Sequence, residues 1–401
     1  MADNKDKKVL NVPGLRFPEF TDEWKKCKFG DIATGFDYGM NAAAKPYDGQ
    51  NKYIRITDID EASSTYNNED VVSPDGTLSE NYVVNERDIL LARTGASTGK
   101  SYLYRKSDGK LYYAGFLIRA NVAEHNPYFV FSQLHTHRYW RWVSIMSARS
   151  GQPGINSQEY ASFPIFTTTL IEENKISTLL SLIDERIATQ NKIIEKLETL
   201  IKGIIDSIFT ANKFPKVPFK EIYVRAGEGG TPTTSNPEYY DNGTIPFIKI
   251  DDLQNKYIKT NKDCITELGL QKSSAWIVPA NSIIYSNGAT IGAISINLFP
   301  VCTKQGILGV VPKANINVEF LYYFMKSTAF TTAVERIVTE GTMRTAYLKD
   351  INHIPCPVPC PVKQDEIAKL LSTLSEKLEN EVIFQLKLQK QKEFLLSQIF
   401  I

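Results

Sequence analysis

At 401 residues, 42% of them hydrophobic, the chain is too long for one ordinary core, so two or more globular domains are expected. Its 46 Lys and Arg against 45 Asp and Glu leave a net charge of +1. That balance argues neither for nor against nucleic acid, because phosphate attraction is local, on the scale of a Debye length of ~8 Å. The opening MADNKDKKVL has no apolar core, and no run approaches the ~20 apolar residues that span a bilayer, so neither a secretory leader nor a membrane span is expected. Five scattered cysteines (Cys27, Cys264, Cys302, Cys356, Cys360) fit free thiols in a reducing cytoplasm.

The first globule is read as residues 1–170. It opens with a short amphipathic run at 28–35. An alternating strand at 53–59 follows, and then a buried strand at 88–92 that runs into the turn Gly95-Ala96-Ser97-Thr98-Gly99. An aromatic-rich helical segment opens at Phe129, and Phe163-Pro164-Ile165 closes the globule. Residues 171–212 predict a long helix. Ile176, Leu180, Ile183, Ile187, Ile194, Leu197, Ile201, Ile204 and Ile208 fall in steps of four and three, with Gln190 in the one polar position, which is a heptad seam. Glu172 and Glu173 in its first turn complement the helix dipole. From 176 to 208 the seam is ~50 Å long at ~1.5 Å per residue.

The second globule, 213–361, repeats the order of the first: an amphipathic run at 219–227, a strand at 247–253, and a buried strand into Asn287-Gly288-Ala289-Thr290-Ile291-Gly292. An aromatic segment from Phe320 and the closing Ile354-Pro355-Cys356 complete it. Residues 362–401 predict a second long helix carrying Ile367, Leu371, Leu374, Leu378, Leu388, Leu395 and Ile399 in the same frame. Its middle is interrupted by Glu381, Gln385 and Lys392, while Val382, Ile383, Phe384 and Leu386 shift the apolar stripe. The two helices match at a constant offset of 191 residues, from Ile176 and Ile367 to Phe209 and Phe400. The expected fold is therefore α+β: two tandem β-rich mixed domains and two long helices that pair as an antiparallel coiled coil, with internal pseudo-two-fold symmetry.

No complete catalytic constellation is present. The 95–101 run ends in Lys100-Ser101 but has three residues between its glycines where a phosphate loop needs four, and its duplicate at Gly292 is followed by Ala293 and Ile294. It is read as a tight turn. Asn126-Pro127 and Asn236-Pro237 are read as turns, and Cys356 with Cys360 lacks the second ligand pair of a zinc site. Of the four histidines none pairs with a plausible nucleophile. What remains is polar loops rich in the residue types that hydrogen-bond phosphates and base edges. They carry Arg93, Thr94, Ser97, Lys100, Arg149, Gln152 and Asn156 in the first globule, and Asn287, Thr290, Thr342 and Arg344 in the second.

This arrangement resembles the specificity subunits of type I restriction–modification systems. The resemblance rests on the opening Val12-Pro13-Gly14-Leu15-Arg16-Phe17-Pro18 with Trp24, the two glycine turns, and each boundary where a proline-containing strand meets an Ile-x-x-Leu-Leu helix. It implies that each globule is a target-recognition domain for one half of a bipartite double-stranded DNA sequence, and that the coiled coil sets the spacer. It also implies a non-catalytic chain that recruits two adenine-methyltransferase (modification) subunits and restriction/translocase subunits. S-adenosylmethionine, ATP and Mg would then be held by those partners. The alternative reading is a coiled-coil scaffold carrying two ligand-binding domains.

Overall fold

The computed structural model describes residues 11–148, 153–211, 214–288, 290–338 and 344–401. The fold is α+β and divides into two compact units, residues 1–190 with 384–401 and residues 191–383. Each long helix thus contributes one half to each unit.

In the first unit, β1 (Ala33–Tyr38), β2 (Asp88–Ala92), β3 (Ser101–Leu103) and β4 (Leu117–Val122) form an antiparallel sheet in the order β1-β4-β2-β3. Every residue of β2 is buried, as a strand covered on both faces must be. Its alternation sorts side chains between two cores. Ile89 and Leu91 join Trp24, Phe129 and Phe163 on one face, and Leu90 and Ala92 join Tyr102 and Leu117 on the other.

The second unit repeats the plan with β5 (Tyr223–Glu228), β6 (Tyr257–Ile258), β7 (Ile283–Ser286), β8 (Ile294–Asn297) and β9 (Ile307–Pro312), ordered β5-β9-β7-β8-β6. Ile283 and Tyr285 of β7 face Phe320 and Phe330, while Ile284 packs with Val278 and Val301. Both units are pinched at their ends by a two-stranded ladder. Cys27 pairs opposite Ile165 in the first, and Val217 opposite Cys356 in the second.

The strands expected at 53–59 and 247–253 are shorter than their alternation suggests. They stop at Ile54 and Ile248, and a 3-10 turn follows in each unit (Ile56–Asp58, Ile250–Asp252). The cause is local: the Asp58 carboxylate accepts the Arg55 N–H at 2.8 Å, and Asp252 accepts that of Lys249 at 2.9 Å. An aspartate that captures a donor three residues back curls the chain out of the ladder. The Asn-Pro pair at 126 is likewise more than a turn, since the Asn126 side chain caps the helix Pro127–Gln133.

The long helices run Leu170–Ala211 and Pro361–Ile399. In the first unit the start of one meets the end of the other, with Ile176 and Leu180 sharing a core with Leu396, Ile399 and Phe400. In the second unit Ile201 and Phe209 share a core with Ile367 and Leu371, and Ile204, Ile208, Leu374 and Leu378 pack at its edge. In both units the pairing is antiparallel. Ile183, Ile187, Ile194 and Leu197 are half-buried along the seam, as is Leu395, and Leu388 is buried.

The apolar stripe of the second helix does not shift in its middle. Gln385 and Lys392 stay half-buried in the frame, whereas Ile383, Phe384 and Leu386 are turned to solvent. Lys392 keeps its place because Asp184 meets its ammonium at 2.6 Å, and a paired charge can sit in a seam that an unpaired one would disrupt.

Glu172 and Glu173 do more than face the helix dipole, since both are fully buried. Glu172 takes a two-point bond from Arg16 (2.7 and 2.8 Å) and one from the Trp24 indole (3.3 Å). Burial raises its carboxyl pKa, but the bonds from Arg16, Thr168 and Trp24 outweigh that and hold it below the usual carboxylate range. The opening segment is thereby tied to the head of the first long helix.

Candidate nucleic-acid interface

In the first unit the glycine turn between β2 and β3 is stitched to the segment that follows residue 152. Gly95 N–H donates to Pro153 O (3.0 Å), Ile155 N–H donates to Arg93 O (2.9 Å), and Thr94 bridges Gly154. Two buried tyrosines lock the turn from beneath. Tyr160 Oη donates to Ala92 O at 2.6 Å, and Tyr139 Oη donates to Gly99 O at 2.8 Å. Gly99 must be glycine, because its φ is +94° and a Cβ would meet Val143 at 2.8 Å.

This stitching brings Arg93, Thr94, Ser97, Lys100 and Asn156 into one loop pair, and it assigns them different work. The Arg93 guanidinium lies 4.7 Å from the Tyr38 ring centre. Lys100 pairs with Glu61 at 3.2 Å. Asn156 caps the short helix Ser157–Ala161 in a reciprocal exchange with Glu159. Ser97 is half-buried within the turn. Arg149 and Gln152 lie outside the described residues.

Beside the loop pair is a concavity of about 670 Å³ lined in part by Tyr38, Asn41, Thr57, Arg93 and Phe116. Phe116 is 57% exposed, which is unusual for a ring of its size. Tyr38 accepts the Ser157 N–H through its hydroxyl at 3.3 Å. That bond, with the Arg93 charge, holds the phenol below its ordinary range.

Tyr38, Asn41 and Phe116 were not legible as site residues from the loops alone. The available signal was Gly39, where a Cβ would sit 2.3 Å from Ala114 O. That glycine lets two backbone segments approach and so brings Tyr38 and Asn41 to the rim.

The second unit builds the same loop pair with other side chains. Asn287 N–H donates to Gly306 O (3.1 Å), and Ala346 N–H donates to Asn287 O (2.9 Å). The Asn287 side chain is 1% exposed and donates its amide to Ala346 O at 3.1 Å, so it braces the loops from inside. Thr290 and Arg344 are exposed and line a cavity of about 350 Å³ with Thr331 and Glu335. Thr342 lies outside the described residues.

Residues 216–388 match the type I restriction modification DNA specificity domain. The MjaIX specificity subunit of Methanocaldococcus jannaschii is 32% identical over 179 residues, 44% of this chain and 39% of that protein. The MjaVIII specificity subunit of the same organism is 22% identical over 98% of this chain and 95% of its own length. The chain is similar to the specificity subunits of type I restriction–modification systems. The matches to the first relatives span only about two fifths of their length. The S subunit from M. genitalium shares the fold with a TM-score of 0.61 at 17% identity, covering 97% of this chain and 99% of that one. The stretch matched by the family model, residues 216–388, takes in Asn287, Thr290 and Arg344 of the second loop pair. Among the described residues no helix is long and apolar enough to cross a membrane.

Proposed function

We propose that the chain is the DNA-recognition subunit of a type I restriction–modification system, and that its two domains read the two halves of a bipartite target. The observation that carries this is the repeated loop pair. In both units a glycine turn is bonded to the segment before the closing strand, yet the side chains on offer differ: Arg93, Thr94 and Lys100 in one, Thr290 and Arg344 in the other. One scaffold with two sets of polar side chains suits two different half-sites. The paired helices would set the unread gap.

The chain would contribute positioning only. Adenine methylation, with S-adenosylmethionine, would come from two modification subunits, and ATP- and Mg-dependent restriction from translocase subunits. For their recruitment the first unit offers Leu182, Leu386 and Phe394, which are 57%, 50% and 59% exposed on its helices. Solvent-facing apolar side chains on a helix suit the docking of a partner helix.

The test is genome-wide adenine methylation in cells carrying this chain with its modification partner. A single split motif with a fixed gap is the expected result. Absence of methylation, with the partner present and soluble, would overturn the reading.

A further inference from the structure

We infer that Arg93 reads a guanine in the half-site of the first recognition domain, with the Tyr38 ring as its platform. This rests on the DNA-recognition reading above and names one base-reading residue within it. The first observation is a difference among arginines. Arg16, Arg55, Arg87, Arg119 and Arg138, all half-buried in the same unit, donate to a carboxylate, a backbone carbonyl or the Gln133 amide oxygen. Arg93 does not follow them. Among the described residues no carboxylate or carbonyl holds its guanidinium, which lies over the Tyr38 ring; its buried Nε lacks an acceptor, as do Arg16 Nη1 and Arg138 Nε. A guanidinium that no protein carboxylate or carbonyl holds can give its outward N–H groups to a ligand.

The second observation is preorganisation. The Arg93 backbone is held on both sides, with its N–H on Phe116 O at 3.0 Å and its carbonyl accepting from Ile155 N–H at 2.9 Å. The guanidinium lies 4.7 Å from the centre of the Tyr38 ring, whose hydroxyl is in turn fixed by Ser157. A fixed planar fork matches two acceptors on one edge, which in the major groove is guanine O6 with N7. A phosphate can take the same fork, but that contact is alike at every sequence. The exposed Phe116 ring at the same rim adds an apolar surface for a neighbouring base or thymine methyl.

The third observation is that the second unit lacks the device. In the same hydrogen-bond register Asn287 stands where Arg93 does and Gly306 where Phe116 does. Asn287 is turned inward. The assignment is therefore specific to one half-site.

The experiment pairs the full chain with its modification subunit and measures binding to duplexes in which each position of both half-sites is varied, at several salt concentrations. Wild type, Arg93→Ala and Arg93→Lys are compared. The expected result is a preference of roughly 10- to 100-fold for guanine at one position of one half-site, the range a good bidentate pair supplies. Both variants lose that preference while the other half-site is read as before. Lysine keeps the charge without the fork, so Arg93→Lys gives the answer if Arg93→Ala does not fold.

Three results would overturn the inference. One is uniform weakening with a salt slope lower by ~0.9, the mark of a phosphate contact that lysine preserves. Another is unchanged preference in both variants, and the third is a change in the other half-site. If wild type itself shows no split motif, it is the DNA-recognition reading that fails, independently of Arg93.

Discussion

Glu173 and Gln364 occupy matching places, 191 residues apart, at the heads of the two long helices. Each is fully buried and accepts a backbone N–H, Glu173 from Asn126 and Gln364 from Asn317, both at 2.9 Å. The difference is the next partner. Glu173 also holds His125 at 2.8 Å, whereas Gln364 faces the 316 region, where the matching residue is Ile316. The bond to Glu173 raises the His125 pKa above 6.5 against the effect of burial. A raised histidine contributes stability that is full below the unfolded value and is lost as pH climbs through the folded one. The first unit should therefore weaken from about pH 6.5 upward, over the interval to the raised folded value. Denaturant unfolding of the wild-type chain and of His125→Asn across pH 5.5–8.5 checks this. The variant should lack that part of the pH slope, and identical slopes would show that the pair contributes nothing.

Between the elements, the heptad frame decides which apolar residues are inside. Leu180 and Leu371 are fully buried at seam positions, while Leu182 is 57% exposed two residues away. Leu180→Ala and Leu371→Ala should each cost about 2–5 kcal/mol, the range for large-to-small changes in a packed core. Leu182→Ala should leave stability within ~0.5 kcal/mol. Chemical denaturation separates the two classes, and equal losses at 180 and 182 would contradict the seam.

The outward row makes a different prediction. Leu386→Ala with Phe394→Ala should leave the melting temperature of the chain unchanged but weaken assembly with the modification subunit, read by co-purification. Undiminished assembly would move the docking surface elsewhere.

This contrast also shows what the sequence could convey. The seam was legible because its step of four and three repeats without a gap through Gln190. The middle of the second helix was not, because Val382, Ile383, Phe384 and Leu386 mimic an apolar stripe. Half-burial of Gln385 and Lys392, and the ion pair of Lys392 with Asp184, show that these polar residues keep the frame. The truncated strands at 54 and 248 failed for the opposite reason. Asp58 and Asp252 stand where an apolar residue would continue the alternation, and by bonding backward they end the strand.

At the scale of the molecule, duplication made the two-domain plan readable, since a fold stated twice exposes its own boundaries. The polar loops were readable as a class but not residue by residue. Arg93 and Asn287 stand in the same register, and only their surroundings separate an arginine on a tyrosine ring from an asparagine turned inward to Ala346. Tyr38 and Phe116, far from the loops in sequence, reach the rim through tertiary pairing alone.

The ends of each globule carry the last prediction. Chain entry and exit of the second domain lie side by side in one ladder, Val217 opposite Cys356, as Cys27 lies opposite Ile165 in the first. A domain closed by its own two-stranded neck begins and ends at one place, so the matching stretch of a relative can replace it there, provided that it supplies the residues that pack on the two helices, as Phe320 does on Phe209. Exchanging residues 219–354 for the matching stretch of a relative should therefore change one half of the methylated motif and leave the other half and the gap as they were. Adenine-methylation mapping of the hybrid in cells reads both halves and the gap together. A changed gap would place spacing control in the globules, and a motif unchanged in both halves would favour a scaffold whose domains bind other ligands.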